Sequence, residues 1–128
     1  MTTFNTNEEG IINSFRYHDL IFESLEVSED KLFLIIQDND KRHKTRIVLE
    51  GIKYLEVKEL IPKGIVLSCY SFVFSKCPVH LKDELDFDRL NQYVENEDAK
   101  IFYADGTMGF EILVAYDHGF AEEEKLKN

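Results

Sequence analysis

The run Thr45-Arg46-Ile47-Val48-Leu49-Glu50-Gly51-Ile52-Lys53-Tyr54-Leu55-Glu56-Val57 is rich in aliphatic and β-branched side chains, has no proline and holds a single glycine. It is longer than an ordinary strand of about five or six residues, so the Glu50-Gly51 step reads as a bulge or bend inside it. Parity agrees. Ile47 and Leu49 share one face and Leu55 and Val57 share one face, but Ile52 falls on the other side of the count. One inserted residue near Gly51, with a second irregularity near Lys53, would turn all five toward one core.

Outward from this run, the chain reads as strands joined by short turns. Upstream, Leu20–Ser28 and Lys31–Asp38 form a hairpin about Glu29-Asp30, and Lys41-Arg42-His43-Lys44-Thr45-Arg46 is a basic loop at the next tip. Leu32, Leu34 and Ile36 alternate with Phe33 and Ile35, which predicts an interior strand covered on both faces. Downstream, Ile61-Pro62-Lys63-Gly64 makes a turn and Ile65–Ser75 returns, with Ile65, Leu67, Cys69 and Val73 on one face and Val66, Tyr70, Phe72 and Phe74 on the other. Short turns between four strands predict an antiparallel meander.

Pro78 ends that strand, and Asp83–Asn96 carries the helical period, Phe87, Leu90 and Val94 forming an apolar face with Tyr93 beside them and Asp83 or Asp86 as N-cap. Ala99–Ala104 and Met108–Tyr116 form a second hairpin with Asp105-Gly106 at its turn. Phe110, Ile112, Val114 and Tyr116 line one of its faces. The expected fold is α+β and mainly β: one domain over 1–128, a twisted antiparallel sheet of about six or seven strands, flat or curled toward a half-barrel, with one helix packed on it. Residues 1–10 and 118–128 read as loosely ordered ends.

The chain has 128 residues, 44% apolar and 31% charged, enough to bury a core without covalent staples. No window approaches the ~20 apolar residues of a membrane span, and Met1–Gly10 has neither the basic nor the apolar region of a secretory signal. With two cysteines, the expectation is a reduced, cytoplasmic protein. Net charge is −10, which argues against nucleic acid as a partner and suits a basic protein. Asp83, Glu84, Asp86, Asp88, Glu95, Glu97 and Asp98 face only Arg89 within Asp83–Asp98. Glu84, Asp88, Glu95 and Asp98 are therefore the candidate partner-binding residues.

Three constellations bear on chemistry. His18-Asp19, adjacent in an extended segment, would point to opposite faces, which is wrong for a triad. Cys69, Cys77, His80 and His118 offer soft ligands, but only one Cys-x-x-His step where a zinc site needs two close pairs, so Cys69 reads as core. A Cys69–Cys77 disulfide is disfavoured by the same compartment reasoning. Asp83, Glu84, Asp86 and Asp88 lack the glycine of a calcium loop, and no carboxylate pair stands out for catalysis. No catalytic, cofactor or metal residues are assigned. Ten Phe and six Tyr read as core, or alternatively as the lining of a ligand pocket with His18 or His80 at its rim.

His18-Asp19 before a hairpin, the step Glu50-Gly51-Ile52-x-x-Leu55-x-Val57, and Gly64-Ile65-Val66-Leu67 together resemble small uncharacterised bacterial domains, including immunity proteins of polymorphic toxin systems. The resemblance spans residues 17–70. It implies a small, mainly β, protein-binding domain with no catalytic residues to carry over. The leading expectation is a non-enzymatic acidic binding domain, in its sharpest form an immunity-type inhibitor of a basic toxin. The alternatives are a small-molecule-binding or enzymatic domain with an aromatic-lined pocket, and a structural domain that oligomerises through a sheet edge.

Overall fold

The computed structural model describes residues 2–40, 42–60, 64–94 and 98–125. Among them are nine strands and one short helix: β1 (Thr2–Thr3), β2 (Ile21–Ser28), β3 (Lys31–Gln37), β4 (His43–Glu50), β5 (Tyr54–Lys58), β6 (Val66–Val73), α1 (Phe87–Asn91), β7 (Lys100–Gly106), β8 (Glu111–Tyr116) and β9 (His118–Lys125). They form two antiparallel sheets, ordered β1-β9-β4-β3-β2 and β5-β8-β7-β6. The fold is α+β and mainly β, as the residue pattern predicts. No helix among the described residues is long and apolar enough to cross a membrane.

The long run bends where its glycine stands. Gly51 takes a φ of 70°, the left-handed region open to glycine, and separates β4 from β5. Its partner ribbon bends at the same place, at Asp117 between β8 and β9. The backbone ladder crosses the corner through Asp117 N–H to Glu50 O, 2.9 Å, and Lys53 N–H to Ala115 O, 2.9 Å. β4 and β9 thus belong to the first sheet, while their continuations β5 and β8 belong to the second. Ile47, Leu49, Ile52, Leu55 and Val57 all join the core between the sheets, with Leu32, Leu34, Ile36, Phe102, Phe110, Ile112 and Val114.

The bend also breaks the expected meander. β2, β3 and β4 do follow one another in space, but β5 and β6 are opposite edges of the second sheet, with β8 and β7 between them. The β2–β3 turn is a tight one, Ser28 pairing with Lys31 and Glu29 at a φ of 57°. β3 is interior, yet only Leu32, Leu34 and Ile36 are fully buried; Phe33 and Ile35 are half-buried, with the Arg46 guanidinium 4.7 Å from the Phe33 ring centroid. In β6 the register slips between Val66 and Ser68, so Val66 joins Cys69 in the inter-sheet core while Tyr70 and Phe72 face outward. This corrects the simple alternation over Ile65–Ser75. Leu67 and Ile65 lie at the surface.

Three further expectations are corrected. The basic run is not a loop beyond Arg42: His43–Arg46 lies within β4, with His43 and Thr45 buried. Asp105-Gly106 is not the turn. Both residues lie in β7, with Asp105 opposite Glu111, and Thr107–Gly109 makes the reversal, Met108 and Gly109 at φ of 60° and 83°. Nor is 118–125 a loose end. His118–Lys125 is β9, paired to β4 on one side and, through Ala121 and Phe120, to β1 on the other.

Two segments close sheet edges. Ile12 N–H donates to Cys69 O and Ser71 N–H to Gly10 O, covering the outer edge of β6. Phe22 N–H donates to Gly64 O, and Val66 N–H to Leu20 O, over the first part of β2. Of the Ile61-Pro62-Lys63-Gly64 turn, only Gly64 falls within the described residues.

At Gly51 a Cβ would lie 2.3 Å from Asp117 Oδ2, besides the strain of a positive φ. Gly51→Ala is expected to lower the unfolding free energy by about 2 kcal/mol or more, read from the urea midpoint. A loss under about 0.5 kcal/mol, the range of neutral surface changes, would show that the corner does not depend on this residue.

Candidate functional site

Charge on the first sheet largely cancels across one strand pair. The register sets Lys44, Thr45 and Arg46 of β4 opposite Glu124, Glu123 and Glu122 of β9. Arg46 Nη1 lies 3.6 Å from Glu122 Oε2. Glu123 Oε1 accepts from Arg16 N–H at 2.8 Å and stands 3.3 Å from His43 Nε2, while Thr45 Oγ1 donates to Arg16 O at 2.9 Å. From His43 to Arg46 the basic stretch is thus set against β9, and these contacts tie Arg16 of the preceding segment to β4 and β9.

Among the described residues, Asp83, Glu84 and Asp88 have no such counterweight. Their segment forms a layer on the outer face of the second sheet, with Leu81, Leu85, Leu90 and Val94 buried against Ile101, Tyr103 and Leu113. Over residues 83–94 it is not the continuous helix expected for Asp83–Asn96, whose last two residues lie outside the described ones. Single turns lead to α1, where the Asp86 side chain accepts from Arg89 N–H at 3.0 Å and sets the start. Crowded like charges give a longer helix little support. The inward period holds nonetheless, and Phe87, Leu90 and Val94 all join this outer core.

Glu84, Asp88 and Asp98 are exposed. They come from the turn before α1, from α1 and from the approach to β7, not from one helix face. Glu95 lies outside the described residues. Among the described residues, Asp83, Glu84 and Asp88 form no ion pair. Beside them lies a small cleft lined by Glu56, Lys58, Glu84, Tyr103 and Glu111. Tyr103 donates to Glu111 at 2.7 Å, Tyr54 donates to Glu56, and Lys58 Nζ lies 3.3 Å from Glu56. Burial, then the charges of Glu84 and Glu111, raise the Asp105 carboxyl, whose Oδ1 is buried without a partner.

The other expected residues do not converge. His18 is exposed; its Nδ1 lies 2.9 Å from Leu67 O and its Nε2 3.5 Å from Asp19 Oδ1. The two side chains do meet, contrary to the extended-segment reading, because Asp19 turns at a φ of 65°. His80 Nε2 lies 3.3 Å from the Tyr70 hydroxyl, above a shallow open cleft shared with Glu8 and Glu9. Cys69 is in the inter-sheet core and Cys77 in the outer layer, both free. Burial raises the Cys69 thiol well above its ordinary value and Cys77 to about 11, against the pull of Lys82, so both stay protonated near neutral pH. Among the described residues, no three His, Cys, Asp or Glu side chains are placed to hold a metal.

A groove that the residue pattern does not disclose opens where β6, β8 and β9 meet the N-terminal segment. It encloses about 630 Å³, and Phe4, Phe72, Phe120, Lys76, Lys100 and His118 are among its lining residues. At its base Ser71 Oγ and Tyr116 Oη are 2.6 Å apart. The aromatic-pocket expectation placed His18 or His80 at the rim, whereas the histidine here is His118, brought in by the Asp117 bend.

Burial and the hydrogen bond to Glu56 raise the Tyr54 phenol to about 12, and the same bond, against burial, lowers Glu56. In the unfolded chain the phenol ionises first, so this stabilisation is whole below pH 10.0, its ordinary value, and is lost as pH rises toward 12. Glu56 contributes above 4.5, its ordinary value, and loses that as pH falls through its lower folded value. Glu56→Gln is expected to flatten both limbs of a plot of urea midpoint against pH; unchanged limbs would mean the pair is not coupled to folding.

No protein-family model, curated protein or solved structure matches the chain.

Proposed function

We propose that this chain is a non-enzymatic protein-binding domain that docks a basic partner through the acidic layer over its second sheet. The supporting observation is the uneven cancellation of charge. β4 and β9 set opposite charges face to face on the first sheet, whereas Asp83–Asp98 carries seven acids against Arg89 alone. A predominantly acidic surface steers an oppositely charged partner and sets its orientation. The sharpest form of this reading is an immunity-type inhibitor of a basic toxin, in line with the resemblance of residues 17–70.

Affinity capture from the source cell's extract, washed at low and high salt, tests this reading. A stoichiometric basic protein held at low salt and released at high salt is the expected result. The double variant Glu84→Lys, Asp88→Lys, shown to be folded by circular dichroism, should hold it roughly ten- to hundredfold less tightly. Glu26→Lys on β2 should leave capture unchanged. An empty capture, or equal retention by the reversed variant, would overturn the proposal.

A further inference from the structure

We infer that the groove beside the β8–β9 bend is a binding site for a small monocarboxylate carried on an aromatic or short aliphatic body. Its volume, about 630 Å³, falls in the few-hundred to thousand Å³ range of small-molecule pockets. The apolar floor is already assembled. Phe4 lies with its ring centroid 5.7 Å from Phe15, 6.0 Å from Phe102 and 6.2 Å from Tyr116. Gly119 makes that seat possible, since a Cβ there would stand 2.5 Å from Phe4 Cε2. Phe72, Phe120 and Pro78 supply further apolar wall.

The polar groups select the ligand's head. One hydroxyl of the Ser71–Tyr116 pair donates to the other, which leaves a second O–H to donate. Lys100 stands in register opposite Tyr116 on one side and Val73 on the other, and Lys76 lines the same groove. Among the described residues neither lysine has an ion-pair partner. With His118 they face a single lining acid, Glu8, a local reversal of sign in a chain of net charge −10. A carboxylate answers a hydroxyl and an ammonium with two acceptor oxygens and one charge. A neutral ligand leaves the ammonium groups uncompensated, and a dianion sets a second charge near Glu8. The groove includes none of Glu84, Asp88 and Asp98, so its test stands apart from that of the acidic layer.

Phenylacetate titrated to about 10 mM into the full, nitrogen-15-labelled chain, followed by amide shifts, is the test. Shifts centred on Phe4, Ser71, Lys100 and His118–Phe120 are expected, saturating in the millimolar range or below. Phenylacetamide, with the same shape but no charge, should bind at least about tenfold more weakly, as should phenylacetate to the Lys76→Met, Lys100→Met variant. These surface changes leave the core untouched, and the dispersion of the spectrum reports folding directly. Absent or scattered shifts, amide binding equal to that of the acid, or undiminished binding by the folded double variant would each overturn the assignment.

Discussion

There is no room for a methyl group where Gly51 meets Asp117, and the architecture follows from that contact. Two paired strands reach the corner together, and both must turn there because the ladder between them continues on either side. The Lys53 ammonium, 2.9 Å from Asp117 Oδ1, holds the far side of the bend. A straight ribbon would carry Ile52, Leu55 and Val57 past the edge of the first sheet into water. The bent one folds them back over Ile47 and Leu49, and the second sheet then forms on β5 and β8 as its template. Hydrophobic burial drives this closure, but the absent side chain at one residue decides where it happens.

Where a local rule had no competitor, it could be read directly. The bend at Gly51, the β2–β3 hairpin and the inward face of Phe110, Ile112, Val114 and Tyr116 are of this kind, since period and a single glycine point to one arrangement. The structure departs from the residue pattern where two local rules compete. Asp105-Gly106 is a strong turn signal, yet pairing to β6 and to Glu111 draws both residues into β7, and the reversal moves on to Thr107–Gly109. His118–Lys125 looks like a solvated tail because three glutamates sit in it. It pairs as a strand all the same, and its glutamates find Lys44, Thr45 and Arg46 opposite. The groove had no linear signature at all: Phe4, Ser71, Lys100 and His118 are separated by most of the chain and meet only because strand ends converge.

The two candidate surfaces carry opposite signs, and both arise from how the sheets are joined. Pairing β4 with β9 sets Lys44 and Arg46 against glutamates, and the layer over the second sheet keeps its acids outward because its leucines are needed inward. The lysines of the groove come instead from positions next to strand ends, Lys76 after β6 and Lys100 at the start of β7, where solvent is close and no acidic strand runs alongside. The charged residues of both surfaces lie outside the inter-sheet core, so those positions can change without altering its packing.

Pairing between β4 and β9 has a consequence for the order in which the molecule is made. Ribosomal synthesis delivers β2, β3 and β4 early, and they can associate as a local three-stranded unit. One flank of β4, including Ile47 and Leu49, then stays an open template until β9 emerges much later. During that interval the nascent chain presents a flat apolar edge of the sort that recruits foreign strands. Alternating Lys44 and Arg46 along that edge place repelling charges on neighbouring copies, so the residues that later meet Glu122 and Glu124 first act as gatekeepers against aggregation.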